Sequence, residues 1–147
     1  YRLVDGRADF NEKELPNAPV VHLVGTGAIM PEVLIAAAEL AKEGIECEII
    51  DPRTLQPLDT DLIVDSAKKT NRVVVVHEAV RFGGLGGEIA SQIQELAFDY
   101  LDAPVTRIGA PFSPVPFSPA LEQHYIPDAK TILTGVREIM QRNVIRG

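Results

Sequence analysis

Apolar and polar positions alternate along this chain in two periods. Short apolar runs at Val20–Val24, Ile45–Ile50, Val73–Val76 and Val105–Ile108 predict strands, and the stretches between them carry apolar residues at helical spacing. The first helix opens at Pro31, buries Val33, Ala36, Ala37, Leu40 and Ala41, and stops at Gly44. The next is capped by Asp59 or Thr60, with Asp61 in its first turn and Lys68-Lys69 in its last, matching the helix dipole at both ends. A third follows the glycine-rich turn Gly83, Gly84, Gly86, Gly87, with Ile89, Ile93, Leu96, Ala97 and Tyr100 as its stripe. A last helix, capped by Asp128, buries Ile132, Val136, Ile139 and Met140, and Gly135 inside it marks close packing. Ile45, Cys47 and Ile49 alternate with Glu46 and Glu48, which gives that strand a wetter face and moves it towards an edge. Val73–Val76 ends in a polar break at His77-Glu78, and the prolines between Gly109 and Pro119 predict an ordered loop. Strands alternating with helices predict an α/β fold, a parallel sheet with right-handed crossovers and helices on both faces.

Composition narrows the function classes. The chain has 147 residues, enough for one domain with a real core. Its net charge of -7 argues against nucleic acid or an anionic membrane as partner and fits either plain solubility or a basic protein partner. No apolar run approaches the roughly 20 residues that span a bilayer. The single Cys47 predicts a core thiol, and three scattered histidines make no structural zinc site. Because the chain begins at Tyr1, it reads as a fragment or processed product, with residues 1–19 as linker and a short edge strand around Arg7–Phe10, 20–142 as the domain and 143–147 as a tail.

Several residues invite chemistry. Gly25-Thr26-Gly27 sits between strand and helix as in a dinucleotide fingerprint, but Met30 stands where the third glycine belongs. The GGLGG turn lacks the lysine and hydroxyl of a phosphate loop. His77 and Glu78 end a strand where open α/β sheets place functional groups, and Arg81 beside them can clasp a carboxylate or phosphate. Gly25, Thr26, Gly27, His77, Glu78, Arg81, Gly83 and Gly84 therefore form a candidate ligand site, against a reading in which they are structural. His22 reads as a satisfied core histidine, and His124 has no evident partner. Phe98, Asp99, Tyr100 and Asp102 either form a docking patch for a basic partner or finish the core and solvate a helix end.

VGTGAIMPEVLIAAAELAKEGIECEIIDPRTLQPLD, VVVVHEAVRFGGLGGEIASQI and FDYLDAPVTRIGAPFSPVPFSPALE closely resemble the C-terminal domain of 2-oxo acid dehydrogenase beta subunits, and more distantly that of transketolase. The resemblance runs from about Gly6 to Met140, and Tyr1-Arg2 is similar to the end of the preceding domain in such subunits. It implies a three-layer α/β/α fold with a mostly parallel five-stranded sheet and one antiparallel edge strand, Arg7–Phe10. Val20–Val24 would lie between Ile45–Ile50 and Val73–Val76, so that Gly25–Gly27 and His77–Gly84 flank a topological switch point. It also implies an oxidoreductase in which thiamine diphosphate and magnesium are bound outside this domain. This stretch would hold no catalytic, cofactor-binding or metal-binding residue. Instead it would pair with a second beta subunit about a two-fold axis, meet the alpha subunit, and dock the subunit-binding domain of the dihydrolipoyl acyltransferase through Asp102. The tail Gln141–Gly147 runs past the family's usual stop. Bacterial cytoplasm and mitochondrial matrix both fit, and the substrate 2-oxo acid is not legible. The rival expectation is a small-molecule or nucleotide-binding regulatory module using the switch-point crevice.

Overall fold

A computed structural model of the chain describes residues 2–4, 7–9 and 20–142, with side chains from residue 21 onwards. The elements are β1 (Arg2–Val4), β2 (Arg7–Asp9), β3 (Val20–Gly25), α1 (Met30–Lys42), β4 (Glu46–Ile50), α2 (Thr60–Thr70), β5 (Val73–Val80), α3 (Leu85–Ala97), β6 (Thr106–Ala110), α4 (Pro119–Tyr125) and α5 (Ala129–Gln141). The sheet order is β2-β1-β4-β3-β5-β6, and its four core strands, β4-β3-β5-β6, are parallel. The single antiparallel edge strand expected at Arg7–Phe10 is instead two three-residue strands. β1 and β2 pair with each other, and β1 pairs with β4 at Arg2–Glu48. Runs that short carry no readable period. The expected tail at 143–147 lies outside the described residues.

Three layers follow from strand alternation. Val21 and Leu23 of β3, Ile49 of β4, Val74 and Val76 of β5 and Ile108 of β6 face α1 and α5. Val24, Ile50, Val73 and Val75 face α2 and α3. Because β5 is covered on both sides, its sequence is a continuous valine run rather than an alternation. β4 lies towards one edge, the outermost of the parallel strands on that side, with the antiparallel β1-β2 pair beyond it; Glu48 on it pairs with Lys69 of α2 at 3.2 Å. No described helix is long and apolar enough to cross a membrane.

The helix ends behave as their residues predict. Asp59 accepts from the Leu62 N–H at 3.2 Å at the start of α2. At the start of α5, the Thr131 N–H and hydroxyl donate to Asp128 Oδ1 at 2.8 and 2.6 Å, and these bonds hold the Asp128 carboxyl below its ordinary range. Glu32 of α1 reaches across to accept the Ala129 N–H at 2.8 Å, tying the starts of α1 and α5 together. Asp128→Ala is expected to destabilise the fold by about 1 kcal/mol, seen as a lower urea midpoint at unchanged slope. An unmoved midpoint would show that α5 does not rely on this cap. Gly135 does mark close packing, since a Cβ there would lie 2.7 Å from Ile108 Cδ1.

Candidate functional site

Two places gather the residues singled out by the sequence, and they sit at opposite ends of β5. At its carboxyl end, β3 pairs with β5 on one side and β4 on the other, so the chain does reverse direction there. The Thr26 N–H donates to the Val76 carbonyl at 3.3 Å, which brings the Gly25–Gly27 turn beside the end of β5. Gly25 is buried because α1 needs the space: a Cβ would meet Met30 Sδ at 2.7 Å. Gly27 and Gly83 adopt left-handed backbone (φ 69° each) that other residues resist.

The polar break expected after Val76 is not a break. β5 continues through His77 and Glu78 to Val80, with a register shift against β6 between Val76 and Val80. His77 is only 3 % exposed. Nor are all four glycines in the turn, for Gly86 and Gly87 lie in the first turn of α3. The reason is steric. A Cβ on Gly86 would sit 2.3 Å from His77 Nε2 and one on Gly109 2.8 Å from His77 Cε1, while one on Gly84 would strike the Val80 carbonyl at 2.2 Å. These glycines form a cradle for the imidazole and for the chain that curves around it.

His77 is therefore buried, with its ring packed against these glycines. Burial holds its pKa below the ordinary value; the nearby Ala79 backbone offsets this in part, and the Arg107 charge adds to it. Neither ring nitrogen makes a hydrogen bond of standard geometry among the described residues. Glu78 is half-buried, and Arg81 and Gly83 are exposed. Next to Arg81, Phe82 stacks edge-on against Phe112 with ring centres 5.0 Å apart. A hollow of about 260 Å3 lies nearby after β4, lined by Asp51, Arg53 and Pro57 among others, with Arg53 Nε 2.6 Å from Asp51 Oδ2. It includes none of the candidate ligand residues. His22 is a core histidine, but not a satisfied one: it is fully buried and neither nitrogen meets a partner among the described residues.

The other end of β5 is a tight junction. α2 ends at Asn71, which takes the left-handed conformation (φ 62°), and its side chain donates to the Tyr100 carbonyl at 2.6 Å and the Lys68 carbonyl at 3.1 Å. Arg72 Nη1 donates to Asp102 Oδ2 at 3.2 Å, and the Asp102 N–H donates to the Asn71 carbonyl at 2.8 Å. Lys68 Nζ stands 5.5 Å from the centre of the Tyr100 ring. Asp102 keeps 41 % of its side chain exposed within this network. α3 ends at Ala97 and Tyr100 lies in the 3-10 turn that follows; Leu96, expected in the helix stripe, is exposed, as are Phe98 and Tyr100. Phe98 and Tyr100 thus face outward beside an Asp102 that Arg72 holds in place. Sequence reasoning missed Arg72 and Asn71, although an asparagine just past a lysine-rich helix end was a signal in plain view.

Comparison with known proteins gives one consistent result. The model of the transketolase C-terminal domain family matches residues 13–132. Among curated proteins, the chain is 40 % identical over 140 residues to the acetoin:2,6-dichlorophenolindophenol oxidoreductase beta subunit of Bacillus subtilis, covering 95 % of this chain and 40 % of that protein. It is 43 % identical over 111 residues to the pyruvate dehydrogenase E1 component beta subunit of Rickettsia felis, covering 76 % and 34 %. It is 41 % identical over 122 residues to the mitochondrial 2-oxoisovalerate dehydrogenase beta subunit of Dictyostelium discoideum, covering 82 % and 32 %. The chain thus spans well under half the length of these relatives. Among solved structures, a split-gene transketolase described as an inactive beta4 tetramer superposes with a TM-score of 0.69 at 28 % identity, over 98 % of this chain and 44 % of that one.

Proposed function

Since the chain belongs to the transketolase C-terminal domain family, we propose that it is the assembly and partner-binding domain of a 2-oxo acid dehydrogenase beta subunit. The observation that carries this reading is the sequence likeness to acetoin, pyruvate and 2-oxoisovalerate enzyme beta subunits. In the intact enzyme the reaction would be oxidative decarboxylation of a 2-oxo acid with acyl transfer to a lipoyl group, and thiamine diphosphate with magnesium would sit outside this domain. Among the described residues no three His, Cys, Asp or Glu side chains converge on a cation position. Of the glycines after β5, Gly84 and Gly86 are taken up by His77 and the chain around it. What this domain's own residues would do is pair beta subunits, meet the alpha subunit and present a docking face. The compartment would be the bacterial cytoplasm or the mitochondrial matrix.

The docking face centres on Asp102. Its carboxylate is partly exposed, orientated by Arg72 and bordered by Phe98 and Tyr100, an arrangement that suits a basic partner with an apolar anchor. Asp102→Lys is expected to weaken calorimetric affinity for the subunit-binding domain of the acyltransferase roughly tenfold or more, with dimerisation intact. Asp102→Asn, which keeps the shape but removes the charge, should fall between wild type and Asp102→Lys. Wild-type affinity in both variants would sink the assignment.

A further inference from the structure

β6 closes the sheet order, and among the described residues nothing pairs with its outer side. A groove of about 750 Å3 runs along that edge. Val105 to Gly109 form one wall, α5 residues from Asp128 to Glu138 line the other, and Arg81 and Arg142 complete it. Backbone groups of a strand alternate in direction. The Ala110 carbonyl points inward, accepting the Arg81 N–H at 2.8 Å. Alternation therefore turns the N–H and C=O of Arg107 and Gly109 outward, into the groove.

The far wall is fixed in place. Gly135 lets α5 sit against Ile108, and the Asp128 cap and the Glu32–Ala129 hydrogen bond hold its first turn. A groove held in this way loses little conformational entropy when filled. Its charge is opposite to that of the chain. Arg81, Lys130 and Arg142 line it against Asp128 and Glu138, on a protein of net charge -7, while the Arg107 guanidinium donates to the Arg81 carbonyl at 3.4 Å. Asp128 is already engaged by Thr131.

An exposed edge of this kind is a template for an added strand, and its positive lining selects the strand's charge. We propose that the β6 edge receives an extended acidic segment of a partner protein, its backbone pairing with Arg107 and Gly109 and its carboxylates meeting Arg81 and Lys130. Pairing of β6 with a second copy is opposed by charge, because it would set the two grooves' arginines against each other. The site uses none of the residues of the Asp102 junction, so it stands or falls separately from the docking reading.

The test measures fluorescence anisotropy of the purified chain with a labelled, capped (Glu-Val)3 hexapeptide, its (Lys-Val)3 counterpart, and a (Glu-Val)3 peptide N-methylated at alternate residues. The expected result is salt-sensitive binding of the acidic peptide alone. It should weaken roughly tenfold on N-methylation and in an Arg81→Glu/Lys130→Glu variant, and the Arg107 and Gly109 amide signals should move on titration. Equal binding of the methylated peptide would reduce the site to side-chain ion pairing and overturn strand addition. Equal binding of the lysine peptide, or no binding of the acidic one, would overturn the proposal outright. So would a dimer of the chain that the acidic peptide disperses, since the occupant would then be a second copy.

Discussion

Gly86→Ala is expected to destabilise the protein by about 1–3 kcal/mol, the range for forcing an extra methyl into a filled core. Helix propensity alone argues the other way, because alanine in a helix interior is favoured over glycine by about 1 kcal/mol. The steric term wins because the atom it meets cannot retreat. The new Cβ would stand 2.3 Å from His77 Nε2 and 2.4 Å from Cδ2, and that imidazole is itself enclosed by Gly84 and Gly109. The decisive measurement is a double-mutant cycle in urea. His77→Ala removes the ring, so Gly86→Ala in that background should become neutral or stabilising. If Gly86→Ala costs the same with and without the ring, the cradle is not what requires glycine.

The second large effect is the dependence of stability on pH, and its main source is His22. Burial, with the positive charge of Lys69 adding to it, pushes the His22 pKa down from 6.5 to about 3 in the folded chain. Below pH 6.5 the unfolded chain therefore binds a proton that the folded chain refuses. Stability is full above that pH and falls as the pH drops towards 3, at up to about 1.4 kcal/mol per pH unit for one proton. His77, depressed by burial as well, shifts stability in the same direction. Replacing His22 by leucine removes the titration and two buried nitrogens without partners, so the variant should match or exceed wild type at pH 8 and lose much less stability at pH 5. Parallel stability curves for the two proteins between pH 7 and 4 would refute the role of His22.

The fold was largely legible in the residues because its main signals are local. The valine run of β5, the 3.6-residue stripes of α1 and α5 and the caps Asp59 and Asp128 each declare themselves within a few positions. The order β4-β3-β5, and with it the switch point, came through the family resemblance rather than through any spacing. What local pattern could not show depends on distant partners. His77 looks like a loop residue until Gly86 and Gly109 are known to make room for it within a strand. Asp102 looks like a free acid until Arg72, thirty positions earlier, is found beside it. α4 reads from sequence as a short turn at Ala120–Tyr125 for a different reason: it is a helix of seven residues that begins at a proline, in a stretch where proline otherwise means loop.

The junction at Asn71 has one further consequence. Lys68, Asn71 and Arg72 end α2, start β5 and brace the Tyr100–Asp102 turn. The same few atoms thus set where the central strand enters the sheet and how the outer acid is presented. Substituting any of these residues is expected to disturb the start of β5 as well as the proposed docking face, so binding assays on these variants call for a stability measurement beside them. Leu96 and Phe98, whose exposed side chains carry no part of the brace, can be substituted without disturbing it.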